Sequence, residues 1–164
     1  MTAATPWFET PPLALEPAWI DWNGHLNMAY YNVLFDRAAD LFLADVGISP
    51  AYVTERAGSI MTAEIHVRYV REIFLEAPVR VRIRVVGLDD KRLHLFSELI
   101  HADEGWVSAT SEQMNLHVDM TARRVAPWPA DIRERLEVWA AVSRAAPAPD
   151  GLGRAIAMPA RTSV

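Results

Sequence analysis

Between Met28 and Val46 the chain carries one narrow polar stripe. Asn32, Asp36 and Asp40 recur at every fourth position with Arg37 beside them, among Val33, Leu34, Phe35, Ala38, Ala39, Leu41, Phe42, Leu43 and Val46. That spacing keeps the polar residues on one side of a helix. It predicts a helix over Met28–Val46, about 28 Å long at 1.5 Å per residue, covered around most of its circumference. Asn27 suits its N-cap and Gly47 its C′ stop. The period then changes to two. From Ile60 to Val70, Met61, Ala63, Ile65, Val67 and Tyr69 alternate with Thr62, Glu64, His66 and Arg68. Val79, Val81, Ile83 and Val85 alternate with Arg80, Arg82 and Arg84, a pattern that predicts a solvent-exposed arginine face. Turns at Gly87–Asp90 and Ala102–Gly105 lead into strands over Arg92–His101 and Trp106–Val118. The spacing predicts a four-stranded antiparallel meander. A last helix is predicted from near Pro129, with Ile132, Leu136, Trp139 and Val142 on one face.

The flanks carry less pattern. Residues 1–12 read as an irregular arm, and a short strand is expected over Leu13–Ile20, confined to an edge by Pro17. Residues 13–146 make one domain, and the Ala/Pro/Gly-rich residues 147–164 read as a loose tail. One long helix followed by strands is an α+β plan, an antiparallel sheet curled around a central helix. Such a sheet covers only part of the helix and leaves an edge, so a homo-oligomer is expected, a dimer or a dimer of dimers.

Composition narrows the chemistry. The 164 residues include no cysteine, which excludes a disulfide framework, a thiolate zinc site and a cysteine nucleophile. With 51% hydrophobic residues the chain can offset its folding entropy. A net charge of −5 supplies no basic field for nucleic acid. No leader-like start and no apolar run of spanning length is visible, so a cytoplasmic location without membrane partners is expected. His25, His66, His94, His101 and His117 are scattered without metal-ligand spacing, and no metal is expected.

The loop before the long helix concentrates the reactive groups: Asp21, Trp22, Asn23, Gly24 and His25, then the helix N-terminus. Free N–H groups at a helix start can polarise a carbonyl and stabilise its oxyanion. A carboxylate upstream can attack that carbonyl or activate water, and Gly24 lets the backbone pass close to a ligand. The same residues also make an ordinary turn, with Asp21 in an Asx-turn and His25 exposed. Glu64, His66 and Arg68 form a second polar patch, which reads either as a solvated face or as a contribution to a pocket.

The stretch IDWNGHLNMAYYNVLFDRAADLFL resembles the active-site loop and central helix of hotdog-fold acyl-CoA thioesterases of the 4-hydroxybenzoyl-CoA thioesterase group. The order of loop, long helix and strands matches that fold over residues 13–120. More narrowly, DWNGHLN, HVRYVRE, DKRLHLF and ATSEQMNLHVD resemble the betainyl-CoA thioesterases associated with carnitine breakdown. The resemblance implies that Asp21 acts as nucleophile or general base on the thioester and that the Met28 N–H is the oxyanion donor. Asn23, where some relatives carry a small residue, would orient Asp21 or the water. His25 would be catalytic or pocket-lining, and Glu64 would reach the pocket across a dimer interface. A quaternary ammonium substrate would use Trp22, Tyr30 or Tyr31 for cation–π contact, with His66 also near the pocket. Coenzyme A is then part of the substrate rather than a cofactor, with Arg68, Arg71, Lys91 and Arg92 as candidates for its phosphates. A hydroxyacyl-thioester dehydratase using His25 and Glu64, or a non-catalytic acyl-CoA-binding module, would fit the same resemblance.

Overall fold

The computed structural model describes residues 5–158; residues 1–4 of the expected arm and 159–164 of the expected tail lie outside the described residues. The long helical pattern becomes α1, Met28–Asp45. Asn27 Oδ1 accepts the Ala29 N–H at 3.0 Å, and Gly47, at φ +93°, follows the Val46 C-cap. Both ends stop where a capping residue stands. Tyr31, Leu34, Phe35, Ala38 and Phe42 are buried, at the i, i+3, i+4, i+7 and i+11 positions of one helix face. Burial stops short of the expected wrapping, because a sheet reaches one side of a helix. Met28 and Leu41 are exposed, and Val33 and Leu43 only partly covered.

The strands are β1 (Phe8–Glu9), β2 (Gly58–Tyr69), β3 (Val79–Leu88), β4 (Arg92–His101), β5 (Val107–Asp119) and β6 (Arg124–Val125). They form one antiparallel sheet in the order β1-β3-β4-β5-β2, with β6 paired to β5. This is the hotdog plan, and the inward residues Val79, Val81, Ile83, Val85, Leu93, Leu95 and Leu99 share one core with α1. The meander expectation is corrected in one respect. β3, β4 and β5 follow one another, but β2 lies beyond β5 rather than beside β3. Residues 70–78, which join β2 to β3, exceed the roughly two- to five-residue loop that makes a hairpin. They cross to the far edge, and the buried Ile73 in their midst accepts the Leu26 N–H at 2.8 Å.

β2 is therefore an edge strand, and its alternation is broken. The register slips between Thr62 and Glu64, leaving Ala63 as a bulge. Thr62, opposite Asn115, then shares the inner face with Ile65, Val67 and Tyr69, while Met61 turns outward with Glu64, His66 and Arg68.

The N-terminal flank also differs from expectation. A strand forms at Phe8–Glu9, and over Leu13–Ile20 only Leu13 bridges to Val79 and Ile20 to Leu26, around a 3-10 turn at Pro17–Trp19. Proline cannot donate to a ladder, and its fixed φ suits the turn. A short helix α2, Pro50–Arg56, capped by Ser49, follows α1. The buried Tyr52 hydroxyl meets His117 Nε2 at 2.8 Å, while His117 Nδ1 lies 2.9 Å from the Ala126 carbonyl.

The exposed arginine face is the largest correction. Helix α3, Ala130–Arg144, packs Ile132, Leu136 and Ala140 into the same core. Its C-terminal end then folds over the outer face of β3, where Arg84 is only 5% exposed. Arg84 Nε donates to Ser143 Oγ at 2.7 Å, and its terminal nitrogens donate to the carbonyls of Ser143, Ala146 and Pro147 at 2.6–3.0 Å. Beside it, Arg82 pairs with the buried Glu98 at 2.5 Å. A guanidinium at the negative end of a helix dipole is favourable there. The alternating pattern was correct about the face but silent about what lies over it.

Candidate active site

Asp21 opens a tight loop. Gly24 N–H donates to the Asp21 carbonyl at 3.0 Å and Asp21 N–H to the His25 carbonyl at 3.1 Å. Asn23 N–H donates to Asp21 Oδ1 at 2.8 Å, the Asx-turn contact. One carboxylate oxygen is thus used to shape the loop, and Oδ2 has no protein donor among the described residues. Gly24 sits at φ +84° with open space where a Cβ would lie, so glycine answers the turn conformation here.

Three contacts frame this loop, two tying it to the crossover and to the 3-10 turn and one joining β2 to the start of α1. Leu26 N–H reaches the Ile73 carbonyl at 2.8 Å and Asn27 N–H the Trp19 carbonyl at 2.9 Å. The Tyr69 hydroxyl, at the end of β2, donates to the Met28 carbonyl at 3.0 Å. The result is a cleft of about 400 Å³ bordered by Asp21, His25, Met28, Tyr31, Tyr69, Arg71 and Glu72 among others. Met28 is the first residue of α1, so its N–H has no intrahelical acceptor and stands at the positive end of the helix. Asp21 and the first residue of α1 therefore line one cleft. Burial pushes the hydroxyl pKa values of Tyr31 and Tyr69 up, which keeps both as neutral hydrogen-bonding groups.

The remaining candidates fall in several places. Trp22 is 96% exposed beside the cleft. Tyr30 stacks on Trp19 at 5.3 Å, with Arg37 over the Trp19 ring, whereas Tyr31 borders the cleft. Arg71 borders it too, with its guanidinium 3.9 Å from the centre of the Trp106 ring. Arg68 lies against Gly151. Glu64 and His66 face a different hollow, on the outer side of the sheet, with His94, Glu112 and Gly153. Glu64 stands five positions before Tyr69 on β2, about 16 Å away, so one protomer does not bring it to Asp21. Arg92 pairs across to Leu116 and Leu116 to Met61, which sets Lys91 and Arg92 near the opposite end of the strands, about 26 Å from Tyr69. Arg92 is also held by Asp89 at 2.5 Å. Among the described residues no cluster of three or more His, Asp or Glu side chains suits a metal ion.

Sequence reasoning missed Tyr69 and Glu72. Glu72 Oε2 lies 4.0 Å from His25 Nε2 in the same cleft. It belongs to the HVRYVRE segment, but its role depends on the crossover that brings Ile73 beside Leu26. Strand alternation carries no signal for that crossover.

The profile of the thioesterase-like superfamily matches residues 15–136. The chain belongs to that superfamily. A betainyl-CoA thioesterase of Pseudomonas aeruginosa is 38% identical over 152 residues, which cover 93% of this chain and 94% of that protein. An L-carnitine dehydrogenase/betainyl-CoA thioesterase of Rhizobium meliloti is also 38% identical, over 84% of this chain but 27% of its own length. A Staphylococcus aureus protein solved in complex with CoA superposes with a TM-score of 0.86 at 27% identity, covering 93% of this chain and 96% of that one. With relatives named thioesterases over nearly the whole chain, the protein is a thioester hydrolase of the hotdog fold. No helix among the described residues is long and apolar enough to cross a membrane.

Proposed function

We propose that the protein hydrolyses a small acyl-CoA, betainyl-CoA or a close analogue, in the cytoplasm. One observation carries the reading: Asp21 and Met28, the first residue of α1, line the same cleft. The thioester carbonyl sits at the Met28 N–H, which stabilises the oxyanion as the tetrahedral intermediate forms. Asp21 takes a proton from water, whose oxygen bonds to the carbonyl carbon. The C–S bond then breaks, and coenzyme A leaves as a thiolate that recovers a proton. In the nucleophilic variant Asp21 itself bonds to the acyl carbon, and water cleaves the resulting anhydride. His25, next to Glu72, lines the substrate side, and Asn23 holds the Asp21 carboxylate through its backbone N–H. Arg71 is the cation nearest to hand for the coenzyme A phosphates.

The substrate class draws on the relatives named betainyl-CoA thioesterases and on the CoA complex of the S. aureus protein. A homo-oligomer completes the proposal. β2 is an edge strand with Met61 and Ile65 exposed, the kind of surface a second copy covers. A thiol-release screen over betainyl-, short-chain, branched and aromatic acyl-CoAs tests the reading. Release of free thiol, fastest from a small acyl-CoA, is expected. Absence of release from every ester, with tight binding retained, would make the protein an acyl-CoA-binding module. Turnover of a 3-hydroxyacyl thioester without thiol release would make it a dehydratase.

A further inference from the structure

The Met28 N–H belongs to the Asn27–Met28 peptide unit, and its direction depends on how the surrounding backbone is held. The first turn of a helix frays when only its own bonds hold it. Here the carbonyl of that unit accepts the Tyr30 N–H at 3.0 Å, and the Asn27 N–H reaches the Trp19 carbonyl at 2.9 Å. The next unit, Met28–Ala29, is gripped at both ends. Its N–H donates to Asn27 Oδ1 at 3.0 Å, and its carbonyl accepts the Tyr69 hydroxyl at 3.0 Å. The first grip comes from the adjoining loop. The second comes from the end of β2, 41 residues away in sequence.

Core filling does not account for Tyr69, which is 46% exposed at the end of an edge strand. Its ring meets the buried Tyr31 ring edge-on, with centres 5.0 Å apart. Tyr31 lies in the first turn of α1, so Tyr69 touches that turn twice. Just beyond Tyr69, the Val70 and Arg71 N–H groups donate to the Ser108 carbonyl at 2.8 and 3.0 Å. Ser108 Oγ in turn donates to the Arg71 carbonyl at 2.6 Å. These bonds tie the end of β2 to β5, and the hydroxyl is presented from an anchored strand end. A phenol has one proton to donate. With that proton on the Met28 carbonyl, Tyr69 has none for a thioester oxygen, although it borders the cleft.

We propose that Tyr69 is a positioning residue for thioester hydrolysis: its hydroxyl holds the Met28–Ala29 unit opposite the Asn27 cap and so fixes the direction of the Met28 N–H. This role rests on the assignment of Asp21 and Met28 to the reaction. A donor stabilises an oxyanion best when it is aimed beforehand and needs no reorganisation. Misplacement by about 1 Å can cost about a hundredfold in rate. Losing one grip of two loosens the unit without freeing it, so a smaller effect is expected.

Tyr69→Phe keeps the ring against Tyr31 and deletes only the hydroxyl. With the acyl-CoA that the parent hydrolyses fastest, kcat is expected to fall about threefold or more, while KM stays within about twofold of the parental value. Affinity for the matching S-alkyl-CoA thioether, which has no carbonyl to polarise, and the melting temperature are expected to stay parental. Tyr69→Ala also removes the ring; its melting temperature is expected to fall, with a loss of kcat at least as large. Pairing Tyr69→Phe with Asn27→Ala is expected to cost less than the product of the single effects, because both residues hold one peptide unit.

An undiminished kcat in Tyr69→Phe, a loss confined to Tyr69→Ala, or fully multiplicative losses in the pair would overturn the proposal. So would a raised KM and weaker thioether binding at unchanged kcat, which would make Tyr69 a substrate-binding group. Asp21→Asn, measured alongside, separates this failure from that of the underlying reading. A crippled Asp21→Asn beside a parental Tyr69→Phe removes the role of Tyr69 alone. A parental Asp21→Asn removes the reading on which that role rests.

Discussion

Replacing Arg84 by methionine keeps an aliphatic stem of similar length and removes the guanidinium. Arg84 makes four hydrogen bonds, to Ser143 Oγ and to the carbonyls of Ser143, Ala146 and Pro147. Each bond from a charged donor contributes about 1.5–3 kcal/mol when taken alone. They do not add, because all four share one buried charge whose removal also cancels a desolvation cost. That cost is visible in the Arg84 pKa, which burial pushes down. The Ser143 carbonyl retains the Ala146 N–H at 3.1 Å, so part of the loss is softened. A net destabilisation of about 2–4 kcal/mol follows, or about 5–12 °C in Tm for a domain of this size. Urea unfolding followed by far-UV circular dichroism measures it through the shift in midpoint at constant slope. A loss below about 0.5 kcal/mol, the range of ordinary surface changes, would mean that the guanidinium does not hold α3 to β3.

Two further perturbations probe the frame of the site and its surface. Asn27→Ala removes the N-cap of α1 and is expected to cost about 1 kcal/mol of stability; it should also lower kcat more than it raises KM, because the first turn carries the Met28 N–H. Unchanged kcat would separate the helix start from the chemistry. Arg56 holds the Asp131 carboxyl down to about 2 from an ordinary 3.8. A depressed carboxylate pKa stabilises the fold above the unfolded value, and that contribution fades as pH falls from about 4 toward 2. Asp131→Asn should therefore flatten this part of the acid-unfolding profile, and identical slopes for parent and variant would rule the pair out as a contributor.

Much of the fold was legible in the sequence because a helical period over Met28–Val46 gives way to a period of two from Ile60 onward. The helix limits, the caps at Asn27 and Gly47 and the three sequential strands β3 to β5 all follow from local pattern. What did not follow was non-local. The position of β2 beyond β5 depends on the crossover at residues 70–78, and the bulge at Ala63 reverses which residues of β2 face inward. Arg84 reads as exposed until α3 folds over it. The site divides the same way. Asp21, His25 and Met28 are neighbours in sequence and remain neighbours in space, whereas Tyr69 and Glu72 join them only through tertiary contacts. Glu64, Lys91 and Arg92 sit far from them within one protomer, and no pattern in a single chain encodes where a second copy would bring them.

The central claim is that Asp21 acts on a carbonyl held at the start of α1. The most direct test is the rate of free-thiol release by Asp21→Asn, using the acyl-CoA that the parent hydrolyses fastest and a matched melting temperature to show an intact fold. The account predicts a fall in kcat of about a hundredfold or more with little change in KM. Hydrolysis at the parental rate would contradict it.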